Sequence, residues 1–201
     1  KRVKLNASKD WCITDDAGTC LFRVTEAGAI TYEDVGKQTK YVLVPAKALR
    51  EDATQCVVGD HALGSGPSLM TMRCADNALG TFQWDIDFFG QKWDGGALTI
   101  YVRGTHGTTE SITWASDIKA MCRSIGDAVN NTWSSTVDVD VSIVTANLRV
   151  TSSGVSLTPN GTCVADDKVY FHGTIDAATM STNAANFDVE EIIVGYVRTG
   201  P

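Results

Sequence analysis

The chain has 201 residues, 43% of them hydrophobic and 20% charged, with a formal net charge of −7 and a pI near 4.9. That length carries one well-buried core, or one core with a small appendage, and the composition excludes wholesale disorder. The acid excess excludes a nucleic-acid partner, which needs clustered Lys and Arg, and disfavours an anionic membrane surface; no apolar run nears the roughly 20 residues that span a bilayer.

The N-terminus, KRVKLNASKDW, is basic with no apolar run behind it, so it does not read as a signal peptide, and without an initiator Met the chain reads as processed or as a piece of something longer. Short β-like pieces follow at Trp11–Thr14, Cys20–Val24 and Ala29–Tyr32, separated by turn signals at Asp15-Asp16-Ala17-Gly18 and Glu26-Ala27-Gly28. Cys12 and Cys20 flank ITDDAGT, and a hairpin centred on Asp16 would set them opposite each other as a disulfide pair. The alternative is that the six cysteines are small buried side chains; their spacing matches no zinc pattern. None of these pieces holds a core alone. Residues 1–40 are therefore expected to attach or oligomerise, with the polar Glu33–Lys40 as the boundary to a body spanning 41–201.

The body opens with Tyr41–Val44 and Pro45, and a longer connection ends in GSGPS at Gly64–Ser68. In Thr81–Arg103, Phe82, Trp84, Ile86 and Phe88 alternate with Gln83, Asp85 and Asp87, and Leu98, Ile100 and Val102 alternate with Thr99, Tyr101 and Arg103. Side chains of a strand point to opposite faces in turn, so both runs read as half-buried strands of a hairpin turning at KWDGG. Ser111–Arg123 fits a strand to about Cys122, followed by a turn or short helix through Ser124–Asn131. Val137–Ile143 alternates again, Leu148–Val150 and Val155–Leu157 suggest a hairpin about Ser152-Ser153-Gly154, and Lys168–Gly173 is a further strand. Val189–Arg198 is apolar on both sides, which places it centrally. The expected class is all-β, a jelly-roll-like antiparallel β-sandwich with a short β-rich N-terminal extension.

Chemical constellations are sparse. His61, His106 and His172 each stand alone, although His106 occupies a loop-like GTHGTTE where a ligand contact is conceivable. No hydrolase elbow, phosphate loop or zinc-protease motif appears, and no metal or cofactor is expected. Asp85/Asp87, Asp138/Asp140 and Glu190/Glu191 are paired carboxylates of the kind glycosidases use, and equally of the kind a wet strand face displays. Trp93 on the corner and Trp133 beside a polar loop are, with His106, the candidate surface or partner contacts.

Five segments carry a resemblance: VLVPAKAL at Val42–Leu49, FQWDIDF with its KWDGG corner, the strand at Ile112–Trp114, DDKVYFHGTIDA at Asp166–Ala177, and FDVEEIIVGYVR at Phe187–Arg198. In order and spacing, roughly Lys40 to Arg198 resembles a β-sandwich module of tailed-bacteriophage virion proteins, found in fibre, spike and capsid-decoration settings. The corner departs from that pattern, with Gly90 in FFGQKW where a Pro before Lys and Trp is usual. The resemblance implies a non-enzymatic virion structural protein on the exterior of the particle, either a capsid decoration (cement) protein or a fibre or receptor-binding head. It implies a homotrimer contacting other virion proteins of capsid or tail, and a host receptor or glycan, with no nucleic acid and no membrane. Two alternatives remain: a carbohydrate-binding β-sandwich module using Trp93 or Trp133, and a polysaccharide-degrading enzyme using Asp85/Asp87 or Asp138/Asp140.

Overall fold

A computed structural model describes residues 2–5, 11–14, 20–25, 30–32, 38–51, 56–62, 68–74, 79–106, 112–114, 116–127, 132–143, 148–176 and 187–199, and the structural statements below concern these. The short N-terminal pieces β1 (Arg2–Leu5), β2 (Trp11–Thr14), β3 (Cys20–Val24) and β4 (Ile30–Tyr32) form an antiparallel meander, paired in chain order. After it, β5 (Gln38–Pro45) leads through a single 3-10 turn to β6 (Arg50–Glu51), β7 (Cys56–Ala62) and β8 (Ser68–Cys74). The long strands β9 (Leu79–Asp87) and β10 (Leu98–His106) follow, then β11 (Ile112–Trp114), β12 (Ser116–Arg123), β13 (Val137–Asp138) and β14 (Val141–Ile143). The chain continues through β15 (Val150–Thr151), β16 (Val155–Leu157), β17 (Lys168–Asp176) and β18 (Phe187–Arg198).

Two antiparallel sheets make the sandwich. The larger runs β15-β10-β18-β8-β7, with β16 also on β10 and β5 also on β18; the other runs β13-β12-β17-β9-β6. Their inner faces follow the alternation in the sequence. Phe82, Trp84, Ile86 and Phe88 from one sheet meet Leu98, Ile100, Val102, Ile192 and Val194 from the other in one buried cluster. Trp84 stacks between Phe82, at 5.6 Å, and Phe171, at 4.8 Å with the planes 1° apart. Gly173 makes room for this stack: a Cβ there would lie 2.3 Å from the Phe82 ring. β18 is flanked on both sides, by β10 along one edge and by β8 and β5 end to end along the other, as its two-sided apolarity requires.

Two expected connections differ. β9 and β10 are not a hairpin, because β9 pairs with β17 and β6 while β10 pairs with β18, β15 and β16. The KWDGG corner carries the chain from one sheet to the other, with Lys92 at φ 56 and Gly95 at φ 74. Nor do β15 and β16 pair with each other. Both lie along β10, at Gly104–Arg103 and Ile100–Leu98, as one edge strand interrupted at Ser152-Ser153-Gly154. There Val102 donates its amide to Ser152 Oγ at 2.9 Å and accepts from Ser152 N at 2.9 Å, so a side chain stands in where the ladder breaks.

Candidate functional site

Among the described side chains, the residues nominated from the sequence do not come together. Trp93 is completely buried, 4.6 Å from the Phe88 ring, and Phe88 in turn meets Tyr196 at 5.2 Å. The corner folds inward because Asp94 N donates to Val197 O and Thr199 N to Lys92 O, which draws it onto the end of β18. The expectation of a surface contact at Trp93 is therefore corrected: it plugs the end of the core. Trp133 is half-buried, edge-on to His172 at 5.7 Å and under the Lys119 ammonium at 5.6 Å. His106 ends β10, and its side chain lies outside the described residues. His61 sits 3.0 Å from the Thr71 hydroxyl, which itself donates to Asp188 at 2.9 Å. The Thr71 proton being so engaged, His61 Nδ1 is the donor of that contact.

Cys12 and Cys20 are joined as a disulfide, and Cys56–Cys74 and Cys122–Cys163 are joined as well, so the alternative of free buried thiols does not hold. Cys56 and Cys74 are direct cross-strand partners on β7 and β8.

Of the carboxylates paired in the sequence, Asp85 and Asp87 are already engaged. Asp85 is held between Arg50 and Lys168, each at 2.7 Å, and Asp87 accepts the Phe89 amide at 2.9 Å. In return the Asp85 hydrogen bond, against a smaller opposing effect of burial, holds the Lys168 ammonium above its ordinary 10.5. Asp138 and Asp140 are exposed, with Asp138 opposite Asp117 on β12. No group of three metal-ligating side chains occurs among the described residues. A depression of about 380 Å³ beside Asp87 is lined by Phe89, Arg123, Asp166, Lys168 and Tyr170, with both cations near the Tyr170 ring. Its acids and bases balance, and Asp166 already accepts the Gly90 amide at 3.0 Å.

The outer face of the larger sheet is different. Strand register builds three rows across it: Tyr41, Gly195, Thr99 and Ser156; Leu43, Ile193 and Tyr101; and Pro45, Glu191, Arg103 and Thr151. Tyr41 and Leu43 are 57% and 58% exposed, although their strand neighbour Val44 is core. Tyr41 and Tyr101 meet edge to face, centroids 6.3 Å apart and planes at 61°. Each ring lies over a glycine: a Cβ on Gly195 would be 3.2 Å from the Tyr41 ring, and one on Gly154 would be 2.6 Å from the Tyr101 ring. Burial raises the Tyr101 phenol above its ordinary 10.0, and the charge and hydrogen bond of Tyr41 raise it further. The Tyr101 phenol thus stays a neutral hydrogen-bonding group at the rim of an apolar strip.

At the other end of the strip lies a polar network. A bulge pairs Arg103 with Glu191 and Gly104 with Val189, leaving Glu190 as the extra residue. Arg103 Nη1 pairs with Glu191 and its Nε donates to Thr151 Oγ1 at 2.9 Å. Arg149 contacts Glu191 at 2.7 Å and Glu190 at 2.5 Å. The adjacent glutamates noted in the sequence are therefore locked by two guanidiniums. Tyr41, Leu43, Tyr101, Arg103, Thr151 and Ile193 together line a groove of about 500 Å³. Sequence patterning missed this face, because its residues come from separate strands; the available signal was Tyr41 and Leu43, large apolar groups on the side of β5 facing away from Val44.

No protein-family model matches the chain, and no curated protein does. Among solved structures it is similar to the CBM36-1 domain of a multidomain xylanase from the hindgut metagenome of Trinervitermes trinervoides, at 8% identity over 78% of this chain and 97% of that one, TM-score 0.44. It is also similar to CBM35 from Cellvibrio japonicus Abf62, at 14% identity, 81% and 99% coverage, TM-score 0.42. Against the enzymatically active domain of bacteriophage CBA120 tailspike protein 4 the identity is 8%, with 79% of this chain but 19% of that chain covered, TM-score 0.36. The likeness is one of fold. The jelly-roll β-sandwich stands on this chain's own strand pairing. The expected virion structural role is corrected to the extent that these comparisons do not bear it out: the similar structures are mostly carbohydrate-binding modules, and the likeness to each is of fold alone.

Proposed function

We propose that this chain is a non-catalytic carbohydrate-binding β-sandwich module that holds its ligand on the outer face of the larger sheet. The observation carrying this is the strip of exposed Tyr41 and Leu43 with half-buried Tyr101, running into the Arg103–Glu191–Arg149 network. Sugars have an apolar C–H face and a rim of hydroxyls. An aromatic strip bordered by fixed donors and acceptors meets both needs at once. The tyrosines contribute large contact area at low entropic cost, and the charged network is preorganised by its own ion pairs.

The test is affinity electrophoresis and calorimetry against a polysaccharide panel, with Tyr41→Ala and Tyr101→Ala. Losing roughly 60 Å² of apolar contact per ring at ~25 cal/mol per Å² weakens binding by about 1.5 kcal/mol, or roughly tenfold. Far-UV circular dichroism should be unchanged in both variants. Retention by no polysaccharide, or full retention by the doubly substituted protein, would sink this assignment.

A further inference from the structure

Resting on that assignment, we infer that the face takes single, soluble, uncharged polysaccharide chains rather than crystalline polysaccharide surfaces or acidic glycans. Ring geometry carries the first half. A crystalline surface is flat and needs coplanar aromatic rings, whereas Tyr41 and Tyr101 stand 61° apart with centroids 6.3 Å apart. They are not free to level out, because each is laid against backbone: Tyr41 over Gly195, and Tyr101 over Gly154 at the interrupted edge strand. Two inclined platforms suit a chain whose successive sugars rotate about its axis. The tyrosines come from β5 and β10, one on either side of β18, so the chain would cross the strands.

Charge carries the second half. Arg103 and Arg149 are the cations of the network, and Glu190 and Glu191 match them one for one. The network is locally neutral within a protein of net charge −7, so a polyanion gains no attraction at the face and meets repulsion on approach. The same locked pairs still offer spare N–H and carboxylate lone pairs to hydroxyl groups, especially at Arg149, whose side chain is 54% exposed.

The experiment measures the full chain against three probes: soluble neutral xylan and mixed-linkage glucan, polygalacturonate, and microcrystalline cellulose. Retention by a soluble neutral chain, lost at least tenfold in Tyr41→Ala, together with no pull-down on crystalline cellulose and at least tenfold weaker retention by polygalacturonate, supports the inference. Tyrosine-dependent binding to crystalline cellulose, or equal or tighter binding to polygalacturonate, overturns it while leaving carbohydrate binding intact. Binding to none of the three overturns both. Gly154→Ala gives a check independent of deleting a ring: its Cβ would lie 2.6 Å from the Tyr101 ring and so displaces it, which should change affinity for the neutral chain with the far-UV spectrum unchanged, and an unaltered affinity counts against the ring-angle argument.

Discussion

Asp188 offers the sharpest test of the packing described above, because its side chain is 3% exposed yet charged. It accepts from Thr71 Oγ1 and from Arg73 Nε and Nη2, all at 2.9 Å. Asp188→Ala removes every one of those acceptor sites and leaves a buried hydroxyl and a guanidinium without a counter-charge. Removing one partner of a buried pair costs about 3–5 kcal/mol. Arg73 is 28% exposed and also donates to Ala62 O, so part of its charge can turn to water. The expected loss is therefore about 2–3 kcal/mol, and at about 2–4 °C per kcal/mol for a chain of this size the melting point falls by roughly 4–12 °C. Urea denaturation followed by circular dichroism under non-reducing conditions measures it directly. Asp188→Leu combined with Arg73→Met should recover part of the loss, since the apolar pair leaves nothing unpaired. A single Asp188→Ala variant within about 0.5 kcal/mol of the parent would refute the reasoning, because that is the scale of an ordinary surface substitution.

Three further outcomes are expected. In an ultraviolet titration of the phenols, Tyr101 ionises later than an ordinary tyrosine and moves back toward 10.0 in Tyr41→Phe; its folded state holds the proton more tightly, so its contribution to stability is full below pH 10 and fades as the pH rises further. Asp85→Asn lowers the Lys168 pKa toward 10.5 and costs at most about 1 kcal/mol, as a partly exposed pair should, seen by lysine NMR titration and denaturation; a much larger cost would mean that Asp85 has a role beyond this pair. Replacing Cys122 and Cys163 together by Ser opens a link across 41 residues of sequence, worth about 4 kcal/mol on the chain-entropy scale, and unchanged unfolding of that variant relative to the parent would contradict a formed bond.

Much of the architecture was legible. The period-two alternation in β9, β10 and β12 assigned faces correctly, since burial of Phe82, Trp84, Ile100, Val102, Ile118 and Ala120 follows it residue by residue. Alternation says which way a side chain points and nothing of which strand lies alongside. That is why the β9–β10 corner and the β15–β16 segment looked like hairpins when one crosses between sheets and the other continues along a single neighbour. Trp93 misled for a related reason: Lys92 and Asp94 gave it polar company, while its burial depends on hydrogen bonds to Val197 and Thr199 far along the chain. The outer face of the larger sheet was least visible. Its polar end assembles from β10, β15 and the bulge in β18, and no local window contains all three.

The two glycines beneath the tyrosines have an engineering consequence. The tilt of the platform is governed from below, by positions beneath the rings rather than by the rings themselves. Adding a methyl at Gly154, where the clash is severe, would lift Tyr101, while one at Gly195, where the misfit is a few tenths of an ångström, would only nudge Tyr41. On the proposed assignment, ligand preference would be retuned one ring at a time without replacing any contacting side chain.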